Sequence, residues 1–282
     1  MLAVDYPTPA ALLRAHGLAA KKSWGQNFLH DRAVIARIAD AARLGPDDVV
    51  VEIGAGLGAL TSELVARAGR VIAVERDRDL VAVLREQLGE IENLEIVEAN
   101  ALTFTLADVA DGEPVHVVGN LPYHISSPLL FALLDQRAHL ARATLMLQRE
   151  LAERIVAAPG SRTYGAPSVM VQQHADVALA LSVGRGAFTP APKVDSSVIQ
   201  FAPRRGDAAA DETPDGFAEL VRAAFAQRRK QLPRALSRLH ARERVIAALE
   251  SLSLSPTVRA ESLSPADFVA LTRALDTTQS AP

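Results

Sequence analysis

The residues best suited to chemistry are four consecutive ones, Asn120-Leu121-Pro122-Tyr123. They come just after the apolar run from Val115 to Val118, which predicts a buried strand. Ligands of open α/β sheets bind at the carboxyl ends of the strands. We therefore expect these four residues to lie in a binding site.

The tetrapeptide suits the transfer of a group to an exocyclic amino nitrogen of a nucleobase. That nitrogen is a weak nucleophile because its lone pair is delocalised into the ring. The side-chain oxygen of Asn120 and the carbonyl of Leu121, held outward by the rigid Pro122, could each accept one N–H and localise the lone pair. Tyr123 could stack on the base, a contact worth about 1–3 kcal/mol. The alternative is a strand that ends in a proline turn with a packed tyrosine.

A second candidate site is a glycine-rich loop after the first predicted strand. Gly54, Gly56 and Ala59 fit the dinucleotide pattern G-x-G-x-x-G/A. Glu75 ends the second predicted strand, where a carboxylate can bind ribose hydroxyls. The same arrangement serves either a dinucleotide or S-adenosylmethionine, and a tight turn without a ligand is the third alternative.

Two further residues favour S-adenosylmethionine at this loop. Glu52 would be unfavourable beside a pyrophosphate but is tolerable beside a cationic sulfonium. Asn100 lies just after the third predicted strand, where its side-chain oxygen could accept from an adenine amino group.

The elements that position these residues alternate from Asp31 to about Phe201, which predicts a βαβ sheet. The predicted strands are Val49–Ile53, Arg70–Glu75, Leu94–Val97, Val115–Val118, Ala143–Leu147, Ala175–Val183 and Ser197–Phe201. The predicted helices between them are Arg32–Arg43, Ala59–Ala68, Arg78–Leu88, Pro128–Gln136 and Glu150–Ala157. Too few residues join the last two strands for a helical crossover, so we expect an antiparallel pair there.

A polar stretch without periodicity, 205–214, predicts a linker. Beyond it the pattern predicts only helices, at Phe217–Ala226, Lys230–Leu239, Glu243–Leu249 and Pro265–Ala274. The sequence thus predicts an N-terminal segment at 1–30, an α/β domain at 31–204 and a small helical domain at 215–282.

Composition narrows the classes of protein. Hydrophobic residues make up 49% of the 282 positions, enough for a sizeable core. The chain has no cysteine, which excludes disulfides, thiolate catalysis and cysteine-ligated metal and suits a reducing cytoplasm. No apolar run of membrane-spanning length occurs, the N-terminus does not resemble a signal peptide, and no metal-ligand spacing is present.

Positive charge is concentrated in one part of the chain. Although the net charge is −3, eight cationic residues and a single acidic one, Glu243, lie between Arg222 and Arg244. This excess is typical of a phosphate-binding surface, although a solvated helix face would look similar. The predicted RNA contacts are Lys21, Lys22, Arg222, Arg228, Arg229, Lys230 and Arg234.

These motifs together resemble the small-subunit ribosomal RNA adenine dimethyltransferase family, from about Lys21 to Leu236. The residues that carry the resemblance are Lys22–Leu29, Glu52–Gly58, Gly119–Pro128, Leu147–Glu150, Tyr164-Gly165, Phe188–Ser197 and Phe225–Lys230. The resemblance implies a class I methyltransferase sheet of seven strands with a reversed last strand, followed by a small all-helical C-terminal domain that helps to hold RNA.

The resemblance also implies roles for individual residues. The implied cofactor-binding residues are Asn27, Leu29, Gly54, Gly56, Glu75, Asn100 and Asn120, with the 1–30 segment contributing to that site. Phe188 is the aromatic residue implied to clamp the target base opposite Tyr123, unless it only packs in the core. The family usually has Asp where this chain has Asn100, which implies altered nucleobase recognition. His124 is assigned to packing or RNA contact.

The implied activity is S-adenosylmethionine-dependent dimethylation of two adjacent adenosines near the 3′ end of 16S rRNA. A cytoplasmic monomer with a role in small-subunit biogenesis is expected. Three other functions remain open: a large-subunit dimethylase of the macrolide-resistance type, an assembly or transcription factor without catalysis, and an NAD-linked oxidoreductase. The last leaves Asn120 and Tyr123 without a role.

Overall fold

A computed structural model describes residues 6–123, 125–205 and 213–277. His124 and most of the predicted linker, residues 206–212, lie outside the described residues. Within the described parts of the chain, no helix is long and apolar enough to cross a membrane.

The chain divides into two compact units. One comprises Met1–Ala152 with Ala178–Pro203, and the other comprises Glu153–Val177 with Arg204–Pro282. Residues 153–177, which the sequence placed in the α/β domain, therefore group with the helices that follow the linker. The predicted domain boundaries stay predictions.

The first unit is built on a mixed sheet of seven strands, as predicted. A separate pair of two-residue strands, β1 and β8, lies apart from it. In chain order the strands are β1 (Phe28–Leu29), β2 (Val49–Ile53), β3 (Arg70–Glu75), β4 (Leu94–Glu98), β5 (Val115–Asn120), β6 (Leu140–Gln148), β7 (Ala175–Val183), β8 (Phe188–Thr189) and β9 (Ser196–Pro203). The order across the sheet is β4-β3-β2-β5-β6-β9-β7.

The strands from β4 to β6 pair in parallel, and β9 pairs antiparallel to β6. The predicted reversal of the last strand is thus confirmed. The residues of β2 from Val50 onward and of β3 from Val71 onward are buried, as is typical of parallel strands covered on both faces. The carboxyl ends of β2, β3 and β5 therefore meet at one edge of the sheet.

Helices of the first unit follow the strands. They are α1 (Pro9–Ala15), α2 (Arg32–Ala42), α3 (Thr61–Leu64), α4 (Arg78–Leu88) and α5 (Ser126–Asp135), and α6 (Arg149–Ile155) begins in this unit. Asp31 and Asp77 cap α2 and α4, since their side chains accept from backbone N–H groups of the first turn. The helix predicted at 59–68 is shorter than expected.

The second unit contains α7 (Ala166–Gln172), α8 (Phe217–Ala226), α9 (Leu232–Ala235), α10 (Arg242–Ser251) and α11 (Pro265–Thr277). Its core includes Tyr164, Phe217, Leu236 and Phe268, which are all buried. The hydroxyl of Tyr164 donates to the carbonyl of Leu263 at 3.0 Å. The segment around Tyr164 is therefore part of the helical core.

Candidate active site

A pocket opens at the edge where the carboxyl ends of β2, β3 and β5 meet. Ten of the predicted catalytic and cofactor-binding residues line it: Asn27, Leu29, Gly54, Gly56, Glu75, Asn120, Leu121, Pro122, Tyr123 and Phe188. Trp24, Gln26, Glu52 and Arg76 line it as well. The structure thus brings together three strand ends, the segment before α2, and β8.

The glycine loop after β2 adopts a backbone that other residues disfavour. Gly54 and Gly56 have φ angles of +74° and +61°. A Cβ atom on Gly54 would lie 3.6 Å from the carbonyl oxygen of Asn120, and one on Gly56 would lie 3.4 Å from the ring of Phe28. The loop therefore brings bare backbone to the pocket wall.

Glu75 ends β3, and only 8% of its surface is exposed. Its Oε1 accepts from the N–H groups of Arg76 at 2.8 Å and Asp77 at 2.9 Å, and its Oε2 accepts from Gly56 at 3.0 Å. Burial raises the pKa of Glu75, while these three N–H groups oppose the rise. Since a carboxylate oxygen has two lone pairs, Oε2 retains one for a ligand hydroxyl.

Glu52 is the next-to-last residue of β2, and 1% of its surface is exposed. Its Oε2 has no hydrogen-bond partner among the described residues. Burial raises the pKa of Glu52 to about 7; the nearby hydroxyl of Thr61 opposes the rise, and the charge of Glu75 adds to it. A buried acceptor without a partner is costly, so a ligand that brings an N–H group or a positive charge suits this wall of the pocket.

Asn120 is oriented by the chain before α2. Its Nδ2 donates to the backbone carbonyl of Asn27 at 3.1 Å. The amide is therefore turned so that Oδ1, the only acceptor of the side chain, stays available in the pocket that Asn120 lines. The neighbouring strand β2 leaves no room for a side chain at Gly119 of β5. A Cβ there would lie 2.7 Å from the carbonyl oxygen of Ile53.

The turn after Asn120 is fixed by its own hydrogen bonds. The carbonyl of Pro122 accepts from the N–H of Ile125 and from the hydroxyl of Ser126, each at 3.1 Å. The hydroxyls of Tyr123 and Ser196 lie 2.8 Å apart, which pins the tyrosine ring to the start of β9. Burial raises the pKa of the Tyr123 hydroxyl. Ser196 was not predicted, because only the tertiary fold brings β9 to this turn.

Phe188 reaches the pocket through a strand pair that the sequence did not predict. In this pair β1 and β8 run antiparallel, with Leu29 opposite Phe188. Phe188 is 3% exposed and also belongs to the core that contains Leu29. It therefore lines the pocket and packs in the core, so both sequence-based interpretations describe part of its surroundings.

Asn100 is the one predicted cofactor residue that does not line this pocket, as far as the described residues show. It is exposed, and its Oδ1 accepts from the N–H of Leu102 at 3.1 Å. Its carbonyl accepts from the N–H of Thr103 at 3.0 Å. The side chain thus caps a turn after β4.

The predicted RNA contacts differ in what their side chains bind within the protein, and two of them bind other groups of the chain. The Nζ of Lys21 lies 2.7 Å from carboxylate oxygens of both Asp77 and Asp79. Arg228 donates to the carbonyls of Arg162 at 2.8 Å and Tyr164 at 3.3 Å, so its guanidinium stabilises the helical unit.

Arg229, Lys230 and Arg234 line a concavity of the helical unit. Arg242 and Arg259 line the same concavity and were not predicted to bind RNA. The charge count signalled Arg242 but not Arg259, which is distant in sequence. Lys22 and Arg222 are exposed.

Comparison with known proteins identifies one family of similar chains. The family model described as "Ribosomal RNA adenine dimethylase" matches residues 17–277. A protein of Anaeromyxobacter sp. (strain K) named "Ribosomal RNA small subunit methyltransferase A" is 48% identical, with 96% of this chain and 98% of that protein covered. One of the same name from Myxococcus xanthus is 45% identical, with 95% of each chain covered.

Two solved structures are similar in fold. A dimethyladenosine transferase from Plasmodium falciparum has a TM-score of 0.77 and 26% identity, with 89% of this chain and 98% of that chain covered. The 23S rRNA methyltransferase ErmE has a TM-score of 0.68 and 32% identity, with 89% and 100% covered. The matched range spans both the pocket and the helical unit, and the chain therefore belongs to the ribosomal RNA adenine dimethylase family.

Proposed function

We propose that this protein dimethylates the N6 amino group of two adjacent adenosines in a hairpin loop near the 3′ end of 16S rRNA. S-adenosylmethionine is the methyl donor. The observation that carries the proposal is the orientation of Asn120, whose Nδ2 is held by the carbonyl of Asn27 at 3.1 Å. A role in small-subunit biogenesis, as a monomer in the cytoplasm, belongs to the same proposal.

The pocket residues fit S-adenosylmethionine, which supplies a methyl group bound to a positively charged sulfur. Oε2 of Glu75 retains a lone pair for a ribose hydroxyl. Gly54 and Gly56 leave room for a ligand close to the backbone, and the unpartnered Oε2 of Glu52 suits a positively charged ligand. Asn27 and Leu29 would close the pocket from the segment before α2.

The amine that receives the methyl group needs hydrogen-bond acceptors around it more than it needs a base. Oδ1 of Asn120 and the carbonyl of Leu121 would each accept one N–H of the adenine, which localises the nitrogen lone pair. The nitrogen becomes acidic only after alkylation, so its proton can leave to water. The main contribution of the protein is alignment, which fixes the amine in line with the transferred carbon.

The adenine must leave its stack to reach this pocket, which costs least in a single-stranded loop. Tyr123 would stack on one face of the base, and Phe188 would bound the pocket opposite it. The hydrogen bond between the hydroxyls of Tyr123 and Ser196 restricts rotation of the tyrosine ring, so less side-chain entropy is lost when the base binds. These contacts select an aromatic acceptor.

The small-subunit substrate is favoured over the large-subunit one. The relatives named for the small subunit are 48% and 45% identical over nearly their whole length, whereas ErmE is 32% identical. An assembly factor without catalysis is disfavoured because Glu75 and Asn120 both line the pocket.

The direct test is a methylation assay with labelled S-adenosylmethionine. Immature small subunits, naked 16S rRNA and naked 23S rRNA are incubated separately, and the RNA is digested to nucleosides. Dimethyladenosine in the 16S rRNA of the particles is the expected product. Label only in 23S rRNA would overturn the substrate assignment, and no label in any RNA would overturn the activity.

Asn100 does not line the described pocket and its Oδ1 already accepts from Leu102, but a carboxylate would offer a second, charged oxygen to an adenine amino group. We therefore expect Asn100→Asp to tighten the binding of S-adenosylmethionine by up to about fivefold. The turn should survive, since an Asp oxygen can still accept from the N–H of Leu102. Titration calorimetry measures the effect. Asn100→Ala, which removes the side-chain acceptor and should bind the donor more weakly, is the control. Equal affinities of all three proteins would show that the adenine does not contact this residue.

A double variant of Arg229→Gln and Arg234→Gln is expected to weaken RNA binding and to flatten its dependence on salt. Each lost phosphate contact should reduce the slope of log affinity against log salt by roughly one unit. Arg85→Gln, which removes an exposed charge from α4, is the control. Arg228 is unsuited to this test because its guanidinium holds two backbone carbonyls. A double variant with the parent slope would place the RNA elsewhere.

A further inference from the structure

Segment 21–27, which forms one wall of the pocket, is held mainly by side-chain contacts. Its only regular element is a single turn at Lys22–Trp24, among the residues that the structure describes. Trp24, Gln26 and Asn27 all line the pocket. A wall with so little backbone structure depends on side chains for its position.

The side chain that anchors this wall is Asp77, at the start of α4. Asp77 is 2% exposed. Its Oδ1 accepts from the Nζ of Lys21 at 2.7 Å, and its Oδ2 accepts from the Nε2 of Gln26 at 2.7 Å. Oε1 of Gln26 in turn accepts from the backbone N–H of Lys21 at 2.8 Å. Both ends of the carboxylate are thus occupied by the segment.

The anchor and the segment that it holds each contact one residue assigned to the reaction. The N–H of Asp77 donates to Oε1 of Glu75 at 2.9 Å. At the other end of the segment, the carbonyl of Asn27 accepts from Nδ2 of Asn120 at 3.1 Å. A shift of the segment therefore disturbs both the carboxylate and the amide.

An aromatic contact reinforces the closure beside the pocket. The guanidinium of Arg76 lies 4.3 Å from the ring centre of Trp24, and the Nζ of Lys21 lies 5.2 Å from it. Such cation–π contacts stabilise by about 0.5–1 kcal/mol where solvent reaches them. Trp24 and Arg76 both line the pocket, so this contact closes its rim.

We propose that Lys21, Gln26 and Asp77 form a latch that holds segment 21–27 closed over the pocket. All three are positioning residues for S-adenosylmethionine, and they act through Glu75 and Asn27. Lys21 serves this latch rather than RNA, because its ammonium already faces two carboxylates at 2.7 Å. The identity of the ligand rests on the proposed function, but the closure of the segment does not.

The test compares Lys21→Gln with Lys21→Arg and Lys22→Gln. Lys21→Gln removes the ion pairs of a partly exposed residue, so the fold should survive, which thermal unfolding checks. Lys21→Arg restores the positive charge at the same position. Lys22→Gln removes an equal charge from the next residue, which is exposed and is a predicted RNA contact.

We expect Lys21→Gln to weaken S-adenosylmethionine binding about tenfold in calorimetry, because a partly buried ion pair is lost. KM for the donor should rise with little change in kcat, and affinity for 16S rRNA should stay at the parent level. Lys21→Arg should recover most of the donor affinity, and Lys22→Gln should leave donor affinity unchanged. In the ligand-free protein, amides of segment 21–27 should exchange faster in Lys21→Gln than in the parent.

Two results would overturn the latch. Unchanged donor affinity with weaker RNA binding in Lys21→Gln would make Lys21 an RNA contact, and unchanged amide exchange would show that the segment is held without it. A parent protein that bound no S-adenosylmethionine would refute the proposed function instead. The exchange measurement needs no ligand and would still decide whether the segment is latched.

Discussion

An Asn120→Ala variant is expected to lose methyl transfer while its affinity for S-adenosylmethionine falls only moderately. The amide oxygen is the side-chain group placed to accept from the adenine amine, and its loss leaves the lone pair delocalised. Removal of one such pre-organised hydrogen-bonding group typically lowers kcat by a factor of about 10²–10³. Here the loss of a second hydrogen bond, the one to Asn27, should lower kcat further. The amide also donates to the carbonyl of Asn27 at 3.1 Å, so truncation loosens the orientation of that wall.

Single-turnover methylation of the RNA, with donor affinity measured separately, separates the two effects. Asn120→Asp is the informative second variant. It keeps an acceptor oxygen but lacks the N–H that binds Asn27, so intermediate activity is expected. Parent turnover in Asn120→Ala would remove this residue from the mechanism.

The second large effect is expected at Glu75, where Glu75→Gln should weaken binding of S-adenosylmethionine about a hundredfold. A charge-assisted contact with ribose hydroxyls is replaced by a neutral one, a loss of about 3 kcal/mol. Gln is preferable to Ala because its one carbonyl oxygen can still accept from some of the backbone N–H groups that Glu75 binds. Ala would leave three N–H groups, those of Gly56, Arg76 and Asp77, without their acceptor.

Calorimetric titration of the ligand-free protein measures the effect. Glu98→Gln is the matched control, because Glu98 stands beside Glu75 in the neighbouring strand and is exposed. Its change should leave the dissociation constant at the parent value. An unaltered dissociation constant in Glu75→Gln would refute the ribose assignment.

Most regular elements of the first unit could be predicted from local patterns. The helix at Arg78–Leu88 has the predicted bounds, because apolar residues recur at helical spacing and Asp77 supplies a cap. All seven strands of the sheet were predicted as well, although their bounds differ for some, and buried parallel strands such as Val49–Ile53 and Arg70–Glu75 are read directly as apolar runs.

Other elements depend on contacts that no local pattern shows. The strands Phe28–Leu29 and Phe188–Thr189 have two residues each, too few for any periodicity, and they form only because the fold brings them together. The helix at Ala166–Gln172 was not predicted. Its Ser168 hydroxyl accepts from the N–H of Gly165, but much of its stability comes from packing of Val169 in the helical core.

The sequence by itself determined that three of the pocket residues meet. Gly54, Glu75 and Asn120 follow three strands that are recognisable locally, and parallel strands place their carboxyl ends at one edge of the sheet. Residue type and strand position were therefore enough to predict that these three residues line one pocket.

Only the tertiary structure decided which polar groups pair with one another. Lys21 and Arg228 were both predicted to contact RNA, and in the folded chain their side chains bind Asp77 and the carbonyl of Tyr164, respectively. The orientation of the Asn120 amide likewise depends on a carbonyl 93 residues away in the chain. Hydrogen bonds act only over about 3 Å, so which groups pair is fixed by long-range packing and not by local sequence.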